Sequence, residues 1–142
     1  MLQLLATGFF IGRLGIAPGT LGTLIGIPIL YLVSFNLWTI LATAGVLFAL
    51  GLIASNEIIR ITGEKDPDEV VIDEIVGYLM CFVFIEPTLK NYILAFLLFR
   101  FIDIVKPFPV NLFERIPGAY GVMMDDLVAG IMTSFILFLL IR

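Results

Sequence analysis

Between Arg13 and Glu57 the chain runs for 43 residues without a charge. A bilayer crossing takes about 20 apolar residues, so this stretch has room for two. The polar break at Ser34-Phe35-Asn36 divides it and predicts one helix from about Thr20 to Val33 and a second from about Leu37 to Ile59. The first is short for a crossing and the second adequate. Next comes a polar loop from Gly63 to Glu69 with a helix-start signature. Asp66 suits the cap, Pro67 the first helical position, and Glu69 closes a capping box. A third helix is therefore expected from about Pro67 to Ile85, with Asp73 and Glu74 in its second turn. The β-branched run Val70-Val71-Ile72 would also suit a strand, but an unpaired strand edge is untenable in lipid.

A fourth helix, from about Asn91 to Val105, ends at Lys106-Pro107-Phe108-Pro109, because each proline lacks a donor and restricts the residue before it. After a connector containing Pro117, Gly118 and Gly121, a fifth helix carries Asp125 and Asp126 near its start and continues through the uncharged run Leu127 to Ile141. That run covers roughly 22 Å, short of a hydrocarbon core of ~30 Å, which sets the two acids near an interface.

Composition moves this pattern from a soluble bundle to a membrane one. The chain is 61% hydrophobic and 14% charged, too little polar surface to cover a soluble core. The expected fold is all-α, a small integral membrane bundle of about five helices with a short N-terminal interfacial segment, forming a single domain over residues 1–142. The net charge of −4 and the lack of a basic run exclude a nucleic-acid partner. Histidine is absent, which removes imidazole acid/base chemistry, phosphohistidine intermediates and most transition-metal sites. The one cysteine, Cys81, permits neither an internal disulfide nor a zinc cluster and reads as a small buried residue. The N-terminus has no basic leader with a cleavage site, so no removable signal peptide is expected.

Alternating the five helices up and down gathers scattered charges. Gly19-Thr20, Asp73-Glu74, Arg100, Asp103, Lys106 and Asp125-Asp126 all fall at one end. The same end carries Arg13, Arg60, Lys65, Arg100, Lys106 and Arg115 against Lys90 and Arg142 opposite, six against two. By the positive-inside rule, that end faces the cytoplasm.

Ionised groups beside lipid need a proton, a cation or a basic partner. The four carboxylates Asp73, Glu74, Asp125 and Asp126 suit a hard divalent ion such as Mg²⁺, which prefers oxygen ligands. The plainer alternative is helix-start acids answering the macrodipole, with Asp126 as a cap. Neighbouring acids on a helix point about 100° apart, so one member of each pair would face the site. Each pair is followed within about a turn by a glycine, Gly77 or Gly130, where a second helix could approach closely. Arg100, Asp103 and Lys106 share one helical arc. They suit either phosphate recognition, with Asp103 joining a metal or holding Arg100, or a salt-bridge ladder with its cations snorkelling to the interface. Gly8, Gly12, Gly15, Gly19, Gly22 and Gly26 alternate spacings of four and three, most simply a close-packing face. Pro18-Gly19-Thr20 makes a helix start whose free N–H groups could hold an anion. It is not a Walker loop.

Four blocks then carry a family likeness: Ala17-Pro-Gly-Thr-Leu-Gly-Thr23, Val71-Ile-Asp-Glu-Ile-Val-Gly77, Phe99-Arg-Phe-Ile-Asp-Ile-Val-Lys-Pro-Phe-Pro109 and Gly118-Ala-Tyr-Gly-Val-Met-Met-Asp-Asp-Leu-Val-Ala-Gly130. In this order the chain resembles the phosphatidylglycerophosphatase A family of bacterial membrane lipid phosphatases. The resemblance implies Mg²⁺-dependent hydrolysis of the terminal phosphate of phosphatidylglycerophosphate at the cytoplasmic face of the inner membrane. It further implies that Asp73, Glu74, Asp125 and Asp126 bind the metal and Arg100 and Lys106 neutralise phosphate. Asp103 would orient Arg100 or ligate, Gly19 and Thr20 would support the substrate, and water or an aspartate would attack in line. The alternative class is a small ion or proton transporter, which would want ionisable groups through the depth of the bilayer. The Asp-Gly-x-x-Ala-Arg stretch of a CDP-alcohol phosphotransferase is absent.

Overall fold

A computed structural model describes residues 1–33 and 36–141, so Ser34 and Phe35 at the first expected break, and Arg142, lie outside the described residues. The described residues are helical without strands. The elements are α1 (Leu2–Ala6), a 3-10 turn (Ile11–Leu14), α2 (Pro18–Val33), α3 (Leu37–Thr62), α4 (Ile72–Met80), α5 (Leu89–Val105), α6 (Val110–Glu114) and α7 (Ala119–Ile141). Seven helices replace the expected five, because the N-terminal segment and the connector after Pro109 each wind a short helix of five residues.

Local chemistry explains the helix ends. The Asn36 side chain accepts the Thr39 N–H at 3.0 Å to start α3, which stops at Gly63, φ 73°, whose N–H returns to the Ile59 carbonyl. Thr88 accepts the Asn91 N–H to start α5, and Lys106 ends that helix in the left-handed region just before the prolines.

The largest departure from expectation is α4. Its start moves from Pro67 to Ile72 because the backbone of the preceding loop has a different partner: the Val71 N–H donates to the Ala6 carbonyl of α1 at 2.8 Å. Glu69 does not close a capping box on Asp66 but pairs with Arg13 at 2.5 Å. At the far end the helix stops at Met80, and the Phe84 N–H is taken by the buried Ser134 hydroxyl of α7 at 2.9 Å. Non-helical backbone is thus satisfied by protein on both flanks of α4. The short helix is buried over nearly its whole length and packs against α2, α3, α5 and α7.

Glycines permit that packing. A β-carbon on Gly130 of α7 would collide with the Gly77 carbonyl of α4, and one on Gly77 would lie 2.7 Å from the Asp126 carbonyl. On the opposite side of α4, Gly22 and Gly26 of α2 meet Val71 and Tyr78. Gly8 and Gly12 close on the loop at Val71 and Glu69, whereas Gly15 faces open space and lies outside this packing. The expected close-packing role of the spaced glycines therefore has a structural basis at all but one of them.

Two helices, α3 with 26 residues and α7 with 23, are long and apolar enough to cross a membrane. Large apolar side chains stand exposed around the bundle, among them Leu24, Trp38, Val46, Ile53, Phe101 and Leu139. An exterior of this kind suits hydrocarbon better than water.

The α4–α7 contact yields a paired prediction. Gly130→Ala should lower the apparent melting temperature in detergent, with a cost of roughly 1–3 kcal/mol as the helices are forced apart. Gly45→Ala, where nothing lies within 4 Å, should leave it unchanged or raise it slightly. Equal melting of the two variants would contradict the packing described.

Candidate active site

One end of the bundle holds a cavity of about 480 Å³. Five segments build it: the start of α2 with Gly19 and Thr20, the loop with Asp66 and Asp68, the start of α4 with Asp73 and Glu74, the end of α5 with Arg100, Asp103 and then Lys106, and α7 with Asp125 and Asp126. Every site residue expected from the sequence lines this one space.

The acids divide as expected in the second pair but not in the first. Asp73, Glu74 and Asp126 present oxygens that all lie within 4.8 Å of one another, so both members of the first pair face inward. Asp125 turns away from that cluster and pairs with the Lys106 ammonium. Four expected carboxylates thus become a group of three and one ion pair. Nor are the α7 acids near a helix start. The helix begins at Ala119, so Asp125 and Asp126 are its seventh and eighth residues and neither caps it. The separation within the Asp125-Asp126 pair follows from the ~100° step of the helix, while Asp73 and Glu74, in the first turn of α4, both line the cavity.

Burial makes the cluster demanding. Asp73 and Asp126 retain 7% and 3% of their exposure, and charged oxygens at such positions need compensation. Asp73 Oδ1 and Glu74 Oε2 are buried without any hydrogen-bond partner. Across the same cavity the Arg100 Nε is a buried donor, also without a partner. Arg100 is not loose, since its Nη1 bonds Asp103 Oδ2 at 2.5 Å one turn along α5. Of the two readings of this arc, the salt-bridge ladder forms only in part: Arg100 and Asp103 pair along the helix, but Lys106 crosses to α7. Burial works against the Lys106 ammonium, yet the Asp125 hydrogen bond and the surrounding acids outweigh it, and the proton is held more tightly than on a free lysine.

Gly19 is the sterically required residue of this site. A β-carbon there would sit 2.5 Å from Glu74 Oε1 and 2.7 Å from Arg100 Nη2. Its absence lets an acid and a cation reach the first turn of α2 together, where Thr20 also faces the cavity. Asp66 and Asp68 line the cavity as well, and sequence reasoning missed them. The Asp66-Pro67 pair imitates a helix start, and nothing local distinguishes the two uses.

The triad fits a hard cation on its own chemistry: oxygen donors only, closely spaced, with two oxygens having no protein partner. The cavity also offers Arg100 and Lys106 to an anion.

Comparisons with known proteins bear on this arrangement. The family profile for phosphatidylglycerophosphatase A matches residues 4–141. Phosphatidylglycerophosphatase A of Escherichia coli (strain K12) is 33% identical over 139 residues, spanning 96% of this chain and 81% of that protein. The protein of the same name from Haemophilus influenzae is 35% identical over 143 residues, spanning 96% and 86%. A Bacteroides thetaiotaomicron protein, provisionally named a phosphatidylinositol-3-phosphatase, is 40% identical over 148 residues, spanning 98% and 92%. No solved structure matches the chain.

The Lys106–Asp125 pair generates a stability test. Lys106→Met alone strands a carboxylate that is 5% exposed and should cost about 3–5 kcal/mol. The double variant Lys106→Met/Asp125→Asn should recover much of that loss in a thermal melt. Simple additivity of the two substitutions would show that the ion pair is not coupled.

Proposed function

The chain belongs to the phosphatidylglycerophosphatase A family, and from that premise we propose that it hydrolyses phosphatidylglycerophosphate to phosphatidylglycerol and inorganic phosphate. It is a phosphatase acting on a phosphate monoester. The observation that carries the reading is the coexistence in one cavity of two partnerless buried carboxylate oxygens and a partnerless buried guanidinium N–H. The first pair calls for a cation and the second for an anion. A divalent ion with a phosphate satisfies both at once.

In this reading Asp73, Glu74 and Asp126 hold Mg²⁺, which when bound supplies positive charge next to the phosphate oxygens. Arg100, braced by Asp103, donates its free Nε–H to a phosphate oxygen. Lys106 adds a second positive charge, and Asp125 fixes where that charge sits. The first turn of α2, with Gly19 and Thr20, receives the phosphate or the adjoining glycerol, and Asp66 and Asp68 at the loop offer acceptors to its one free hydroxyl. Overall the bond from phosphorus to the glycerol oxygen breaks and one from a water oxygen to phosphorus forms; one hydrogen of that water ends on the glycerol oxygen and its hydroxyl on the released phosphate.

The enzyme is embedded as a multi-pass protein in the bacterial inner membrane with the cavity facing the cytoplasm. The apolar exterior supports the embedding, and the excess of Arg and Lys at the cavity end supports the orientation. An ion or proton path would need ionisable groups through the bundle, whereas α3 has no charged residue before Glu57 and α7 none from Leu127 to Ile141. The relative named for phosphatidylinositol 3-phosphate favours a second reading, with the same reaction on a different headgroup.

Phosphate release by the purified chain tests the proposal. Release from phosphatidylglycerophosphate should require a divalent ion and fall by about 10²-fold or more in Asp73→Asn and Asp126→Asn. Equal release by all three proteins, unaffected by chelation, would refute the site. Faster release from phosphatidylinositol 3-phosphate would transfer the chain to the other substrate. For orientation, an impermeant thiol reagent should reach Asp68→Cys from the cytoplasmic side and Asn36→Cys from the other, with the buried Cys81 silent.

A further inference from the structure

A second, larger cavity lies outside the polar site. It is an apolar groove of about 810 Å³ between α2 and α5, walled by Leu24, Ile27 and Tyr31 on one side and Tyr92, Ile93 and Leu97 on the other. On each helix these residues recur at helical spacing and form one face. Both faces continue into the polar cavity: Thr20 stands four residues before Leu24, and Arg100 three residues after Leu97. The two helices meet at that end, where Gly19 admits Arg100, and make few other contacts. The groove opens beyond that meeting point, and it opens sideways. Leu24, Ile93 and Leu97 are 45%, 56% and 60% exposed on the flank of the bundle.

We infer that this groove holds one acyl chain of the phospholipid whose phosphate monoester occupies the polar cavity, an inference that rests on the lipid phosphatase reading above. Amphipathic continuity is the first argument. A polar cavity with charged walls and an apolar groove share one interhelical seam, in the same order as headgroup and chain in a phospholipid. Length is the second. From Thr20 to Tyr31 is eleven residues of helix, roughly 16 Å, about half of a ~30 Å hydrocarbon core and hence the depth of one leaflet. The volume also falls within the ~300–1,000 Å³ typical of small-molecule sites. The lateral opening lets the chain enter from the bilayer while the phosphate remains at the interface.

The test uses the full chain in detergent, with Leu24→Trp and Ile93→Trp filling the groove from its outer wall. With dipalmitoyl phosphatidylglycerophosphate, kcat/KM should fall about tenfold in each variant, while with the dibutyryl analogue it should match the unsubstituted chain. An equal loss with both substrates, or no loss with either, overturns the inference. A phosphatidylglycerophosphate carrying a diazirine midway along one acyl chain supplies a readout independent of turnover. Adducts should concentrate several-fold on the groove walls of α2 and α5 relative to Val46 of α3 and Leu139 of α7. Uniform labelling overturns the groove, and labelling that vanishes as the protein self-associates assigns it to a second copy of the chain. Absence of phosphate release from either substrate, with groove labelling intact, would instead fail the phosphatase reading and leave the groove standing.

Discussion

Three carboxylates sharing one buried space is the constraint that organises this molecule. Asp73, Glu74 and Asp126 lie within 4.8 Å of one another at the end of an apolar bundle, where like charges repel and water is scarce. Such an arrangement persists only if positive charge is brought to it. Two cationic side chains accordingly reach the same cavity from α5 and its end, Arg100 and Lys106, each held by an acid of its own. The remaining demand, two carboxylate oxygens without partners, is met by no hydrogen bond among the described residues.

The packing around α4 serves this cluster. Nine residues are too few to cross a membrane, and their role is to carry two adjacent acids into the middle of the other helices. That placement needs close approach on two sides, which the glycines of α2 and α7 allow. It also needs non-helical backbone on both flanks of α4, which the Ala6 carbonyl and the Ser134 hydroxyl satisfy.

Function follows from combining this electrostatic demand with the surface outside it. The polar cavity combines clustered acids that could hold a cation with an arginine and a lysine, and the flank of the bundle presents apolar side chains. A substrate that is phosphate at one end and hydrocarbon at the other matches both. Lipid phosphatase chemistry is therefore consistent with the site and with its surroundings, independently of family membership.

Much of this was legible in the sequence because the relevant signals are local or additive. Apolar run lengths located α2, α3, α5 and α7, the polar break before Leu37 marked the start of α3, and the prolines after Lys106 marked the end of α5. Alternating helices was enough to bring Gly19, Thr20, Asp73, Glu74, Arg100, Asp103, Lys106, Asp125 and Asp126 to one end, since helix direction follows from connectivity. What a side chain pairs with once there was not legible, because that depends on helix rotation and on contacts between residues far apart in the chain. Asp66-Pro67 looked like a helix start until the Val71 N–H found Ala6, and which of Asp125 and Asp126 faces inward was open until Lys106 crossed to meet Asp125. The sequence by itself determined which charges converge; the tertiary structure decided which carboxylates cluster and which one holds a lysine, because the rotation of each helix about its axis depends on packing and not on order and spacing alone.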